Sequence, residues 1–204
     1  MLRKLHEEYT NDMANWKQIG IISGVVVGAT AITLGIAYVF RHELLDKFKK
    51  ITMGNYFTID DLVYSNTAKA RGIDNTPTKE AEGNLRTLIK ECLNPIREIY
   101  GKPILVSSGY RCDKLNDAVG GAKTSQHRSG NAADLVPASG GSLKEIFESA
   151  IKYGKYDQLI YEENTKGNKW VHVSFDNSRK RGQILSYKNG KYTDISTNWK
   201  NYVV

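Results

Sequence analysis

The stretch Thr124–Leu135, TSQHRSGNAADL, sets His127 and Asp134 seven residues apart in a segment crowded with Gly, Ser and Ala. The chain holds four histidines, and a second, His172, falls within KWVHVSF, Lys169–Phe175. Strand alternation there puts Trp170, His172 and Ser174 on one face and Val171, Val173 and Phe175 on the other. A strand is rigid enough to hold a metal ligand in place. Zinc takes imidazole nitrogens and carboxylate oxygens tetrahedrally, and three protein ligands leave one position for water. His127, Asp134 and His172 would supply that set. Spacing alone leaves the other reading open, a strand histidine hydrogen-bonded in a core or at the surface. His6 and His42 flank an apolar segment and are assigned no role.

Leu85, Leu88, Ile89, Cys92, Ile96 and Ile99 recur at helical spacing, with a kink expected at Pro95. KPILVSS, Lys102–Ser108, reads as a strand that Gly109 ends. Ser142–Gly154 reads as a helix with a capping box in Ser142 and Glu145 and a Gly stop. His127 is expected in a loop, and Asp134 at the head of a short apolar stretch. DQLIY, KWVHVSF and GQILSYK read as strands, the last joined through Asn189-Gly190 to KYTDI as a hairpin. Helices come first and an antiparallel sheet later, which makes the fold class α+β.

At 204 residues the chain has room for one domain and an appendage. The appendage is at the N-terminus: Ile19–Phe40 contains no charged residue and is long enough to cross a hydrocarbon core of about 30 Å. It reads as an uncleaved transmembrane helix, because a mixed-charge tail precedes it in place of the short basic start of a signal peptide. The resulting division is a tail at 1–18, a transmembrane helix at 19–40, a basic connector at 41–55 and a folded domain at 56–204. Arg3, Lys4 and Lys17 precede the helix, and Arg41, Lys47, Lys49 and Lys50 follow it, so flanking charge leaves orientation open. Gly20, Gly24 and Gly28 line one face, which suits helix-mediated association of two copies.

A net charge of +7 suits polyanionic partners, yet the one dense basic run, Arg179-Lys180-Arg181, belongs to no nucleic-acid module. Nucleic acid is not an expected partner. Cys92 and Cys112 form no disulfide framework and fit either a single bridge or two thiols.

In order, SGYRCDKLNDAVGGAKTSQHRSGNAADL, YDQLIYE and WVHVSF resemble the zinc D-alanyl-D-alanine carboxypeptidase family. That family shares its fold with vancomycin-resistance dipeptidases and the hedgehog signalling domain, and it includes phage cell-wall endopeptidases. The likeness covers roughly Tyr56 to Leu185. It implies a central antiparallel sheet flanked by helices, and Zn2+ held by His127, Asp134 and His172. Many members carry the general acid–base three residues before the last histidine, where this chain has Lys169. The resemblance then points to Glu162, ahead of its neighbour Glu163, as the proton carrier. Arg111 corresponds to an arginine that holds the substrate's carboxylate or scissile carbonyl, while Ser125 and Gln158 are candidates for substrate binding.

The implied function is a membrane-anchored zinc peptidase acting on peptidoglycan stem peptides, as a carboxypeptidase or an endopeptidase. Its domain would face the cell wall, on the periplasmic or extracellular side. The alternatives are a noncatalytic zinc-containing module that binds the cell wall, and a structural membrane or virion protein.

Overall fold

The computed structural model describes residues 54–204. The expected tail at 1–18, the expected transmembrane helix at 19–40 and nearly all of the expected connector at 41–55 lie outside the described residues. Among the described residues, no helix is long and apolar enough to cross a membrane.

Two short helices, α1 (Ile59–Val63) and α2 (Asn66–Arg71), lead into α3 (Lys79–Leu88). Side-chain oxygens of Thr58, Ser65 and Thr78 accept from free backbone N–H groups at the three helix starts. Where a kink is expected at Pro95, a π-helical turn, Ile89–Leu93, follows α3, and α4 (Asn94–Tyr100) continues from it. Pro95 stands in the first turn of α4, where its missing N–H costs little. Leu85, Leu88, Ile89, Cys92 and Ile96 are buried as their spacing predicts, whereas Ile99 is exposed. After β1 (Ile104–Ser108) come α5 (Asp113–Ala118), a 3-10 turn at Gln126–Ser129, and β2 (Ala132–Pro137).

Helix α6 (Leu143–Tyr153) starts with the capping box. Ser142 Oγ accepts from the Glu145 N–H at 3.2 Å, and Glu145 Oε2 accepts from the Ser142 N–H at 2.9 Å. It stops at Gly154, with φ 74°. It packs on α4, and on the sheet. Its Phe147 meets Tyr161 edge-on with 6.2 Å between ring centroids; burial of such a ring stabilises the fold by about 1.5–3 kcal/mol.

Strands β3 (Gln158–Glu163), β4 (Lys169–Ser174), β5 (Gln183–Lys188) and β6 (Lys191–Asp194) complete a six-stranded sheet in the order β1-β2-β4-β3-β5-β6. The expectation of an antiparallel sheet needs correction, because β3 and β5 run parallel. The reason is topological. Strand β4 ends beside the start of β3, with Ser174 opposite Gln158. The short connection 175–182 passes that end of β3, so β5 begins where β3 begins and runs alongside it. The β5–β6 turn follows expectation, with positive φ at both Asn189 and Gly190. Strand β2 was not expected, since its Ala-rich, wholly buried start has no alternation.

Alternation sorts the sheet's two faces. Ala133, Leu135, Leu159, Tyr161, Val171 and Val173 join the helices in one core. The opposite face carries Asp134, His172, Trp170 and Glu162. Both cysteines are free, and the Cys92 thiol is pushed up by burial.

Gly109 joins this frame to the site. A Cβ built there would lie 2.1 Å from the Leu62 carbonyl oxygen. That oxygen accepts from the Tyr110 N–H at 2.6 Å, so neither backbone can retreat without breaking the bond. Gly109→Ala is expected to destabilise the protein by about 2–3 kcal/mol, measured as a lower Tm; an unchanged Tm would refute the close approach.

Candidate active site

His127 sits in the 3-10 turn that Gly130 ends in the left-handed region, φ 75°. A Cβ at Gly130 would also lie 2.4 Å from the Ala81 carbonyl oxygen, so this position lets the turn pack on α3. The Gly109 carbonyl accepts from His127 Nδ1 at 2.7 Å, which places the proton on Nδ1 and leaves the Nε2 lone pair facing inward.

Asp134 and His172 are directly opposite one another on β2 and β4. The β1–β2 register breaks between Val106 and Ser108, beside Asp134. The intervening Ser107 donates its hydroxyl to the Asp134 carbonyl at 3.1 Å. Bulges of this kind commonly re-aim a strand next to a functional site.

Three atoms converge. His172 Nδ1 lies 3.0 Å from Asp134 Oδ1 and 3.3 Å from His127 Nε2, and His127 Nε2 lies 3.3 Å from Asp134 Oδ1. A tetrahedral zinc centre with bonds of about 2.0–2.1 Å has edges of about 3.3–3.4 Å between ligand atoms. The triangle matches one face of that tetrahedron. The donors, two imidazoles and a carboxylate, are those zinc accepts, and all three residues are buried. Burial pushes the Asp134 carboxyl up, but His127 and His172 outweigh it and hold the group well below the usual carboxylate range. Asp134 therefore stays in its ligating form.

Glu162 pairs with Trp170 across β3–β4 and lines the same cleft, its Oε1 3.9 Å from His172 Nδ1. Burial raises its pKa to about 7; His172 and Arg111 pull the other way, and the Asp134 charge adds to the rise. Glu163 points to the other face, where its carboxylate is 2.9 Å from Lys188 and 3.8 Å from Lys169. Lys169 is thus on the far face too, away from the cleft.

Arg111 is held by a residue that the sequence reading overlooked, the buried Asn75. Asn75 donates to the Tyr110 carbonyl at 3.0 Å and accepts from the Cys112 N–H at 2.8 Å, one bond on either side of Arg111. Arg111 lines the cleft, and its buried Nε has no hydrogen-bond partner among the described residues. Ser125 and Gln158 line it as well. Gln158 Nε2 donates to Gln183 Oε1 at 2.9 Å. The cleft, about 590 Å³, thus brings together all seven residues singled out in the sequence. It also contains Gln126, Arg179, Arg181, and a pair of aromatic rings, Tyr187 and Tyr192, with centroids 4.6 Å apart.

In the metal-free protein the folded pKa of Glu162, about 7, exceeds the ordinary 4.5. Its contribution to stability is therefore fully present below pH 4.5 and is lost as pH rises through 7. Metal-free Glu162→Gln should gain about 2–3 kcal/mol over wild type by pH 8 and nothing at pH 4. Thermal unfolding at both pH values checks this; equal stability at pH 8 would contradict a desolvated carboxylate.

No curated protein matches the chain. A family model described as Peptidase M15 matches residues 55–174, more than half of the chain and the whole span from Arg111 to His172. The chain therefore belongs to the peptidase M15 family, the zinc D-alanyl-D-alanine carboxypeptidase-like peptidases.

Proposed function

We propose that the protein is a membrane-anchored zinc peptidase that hydrolyses peptide bonds in peptidoglycan stem peptides. The observation that carries this reading is the triangle of His127 Nε2, Asp134 Oδ1 and His172 Nδ1, with the buried Glu162 carboxylate 3.9 Å from His172 Nδ1. The anchor rests on the uncharged stretch Ile19–Phe40. It would hold the domain on the cell-wall side.

Those three atoms would hold the ion. Zinc bound there supplies Lewis-acid polarisation of a carbonyl and lowers the pKa of water. Glu162, with a pKa near neutrality through burial, takes the proton of the attacking water and delivers it to the leaving amine nitrogen. Arg111 donates its unpartnered N–H to the scissile carbonyl oxygen as negative charge develops, or to the substrate's carboxylate. Ser125 and Gln158 border the space a peptide would occupy, and Tyr187 and Tyr192 wall one side of it. A noncatalytic module would suit a cleft with Lys169 in place of an acid. Here Lys169 faces away and Glu162 lines the cleft, which favours the peptidase.

The leading activity is D-alanyl-D-alanine carboxypeptidase-like, with an endolysin-like endopeptidase as the other form. Two substrates separate them. Release of alanine from a pentapeptide ending in D-alanyl-D-alanine identifies the carboxypeptidase, and splitting of a cross-linked stem dimer identifies the endopeptidase. Failure on both substrates would count against the reading.

A further inference from the structure

Asp157, just before β3, has a fully buried carboxylate. Arg181 donates to its Oδ1 from the backbone N–H at 3.2 Å and from Nε at 2.8 Å, and to its Oδ2 from Nη2 at 2.6 Å. Gln126 Nε2 donates to the same Oδ2 at 2.8 Å. A carboxylate offers about four acceptor positions, and these donors fill them. Arg179 Nε also lies 3.3 Å from Oδ2, a second cation beside a charge that Arg181 already neutralises. Among the described residues the Arg179 guanidinium makes no hydrogen bond, and its side chain, 50% exposed, lines the cleft.

Backbone bonds hold Arg179 there. Asp176 Oδ1 accepts from the Ser178 N–H at 2.8 Å and from the Ser178 hydroxyl at 2.6 Å, and the Asp176 carbonyl accepts from the Arg179 N–H at 3.2 Å. The result is a tight turn of the kind Asp side chains stabilise. Asp176 is the other acid near Arg179, and Ser178 engages its carboxylate. Lys180, the next residue, turns to the Phe175 ring, 5.4 Å from its centroid. Arg179 thus presents a planar fork of unused donors at a fixed place, and such a fork matches a carboxylate in shape and charge.

Its place relative to the metal triangle follows from strand register. His172 is opposite Ile160 on β3. Asp157 comes three residues before Ile160, about 10 Å along the strand. An extended peptide with its scissile bond at the triangle covers that distance in about three residues. Arg111 feels the charges of Asp134 and Glu162 and so belongs to the reacting centre, whereas Arg179 is set apart from it.

We propose that Arg179 is a substrate-binding residue that takes a carboxylate carried by the stem peptide about two to three residues from the scissile bond, and so makes the enzyme prefer acidic stems to amidated ones. The proposal rests on the peptidase reading above.

The test uses the zinc-loaded full chain and two synthetic pentapeptides, L-alanyl-D-isoglutamyl-L-lysyl-D-alanyl-D-alanine and its isoglutaminyl counterpart, which differ by one carboxylate. Wild type should favour the acid about tenfold in kcat/KM, the lower end for a hydrogen-bonded charge because Arg179 is half-exposed. Arg179→Gln should erase that preference by raising KM for the acid, with kcat within about twofold and the amide unaffected. Asp157 keeps all four donors in this variant, so its Tm should match wild type. Lys180→Gln removes the same charge from the neighbouring position and should keep the preference. No preference in wild type, a preference that survives Arg179→Gln, or equal loss in Lys180→Gln would overturn the proposal. If wild type hydrolyses neither peptide, the carboxypeptidase reading fails, and calorimetric titration of both peptides into wild type and Arg179→Gln decides the subsite. Acid-selective binding that disappears in Arg179→Gln sustains it; equal binding of the two peptides, or none, overturns it.

Discussion

Glu162→Gln is expected to lower kcat by about 10²–10⁴-fold while leaving KM and bound zinc near wild type. The amide keeps the shape of the side chain but is unable to accept a proton from water or return one to the leaving amine. Glu162 adjoins the metal triangle without being part of it, with 3.9 Å between its Oε1 and His172 Nδ1. Zinc content should therefore survive the substitution. Glu163→Gln provides the comparison. Its carboxylate serves Lys188 and Lys169 on the opposite face, so kcat should stay within about twofold, the scale of an exposed ion pair. Steady-state kinetics and metal analysis of both variants check the assignment. Equal losses in the two would contradict it.

His172→Ala should abolish both zinc binding and hydrolysis. Nδ1 of His172 is the vertex closest to Asp134 Oδ1, at 3.0 Å, and without it His127 and Asp134 provide only two ligands. Catalytic zinc sites use three protein ligands. Metal analysis after dialysis should find equimolar zinc in wild type and essentially none in the variant. Stripping wild type with a chelator should remove activity, and zinc should restore it; neither treatment should change the variant. Retention of zinc by His172→Ala would place the metal elsewhere.

The parts of this site that were legible in the sequence are those that repeat or alternate. Period-two alternation in β4 put Val171 and Val173 in the core, and the same count put His172 on the other face. The capping box at Ser142 and Glu145 and the turn at Asn189-Gly190 were legible because local backbone needs dictate those residues. Strand β2 gave no such signal. Ala132, Ala133, Asp134 and Leu135 are all buried, so the strand has no exposed polar positions to mark a period. The parallel β3–β5 pair was hidden because it depends on where β4 ends, a tertiary fact.

Polar supports were the least legible. Asn75 acts on Tyr110, 35 residues away, and Asp157 acts on Arg181, 24 residues away, through hydrogen bonds that impose no sequence period. Gln126 stands between Ser125 and His127. Its side chain gains meaning once β3 and β4 bring Asp157 and His172 to either side of it.

Purified muropeptides incubated with the zinc-loaded full chain, with the metal-free protein as control, are to be read by mass spectrometry. New masses are expected in the zinc sample alone: loss of one terminal alanine from a carboxypeptidase, or separated stem fragments from an endopeptidase. Unaltered muropeptides after treatment with folded, zinc-bound protein would contradict the proposed peptidase activity.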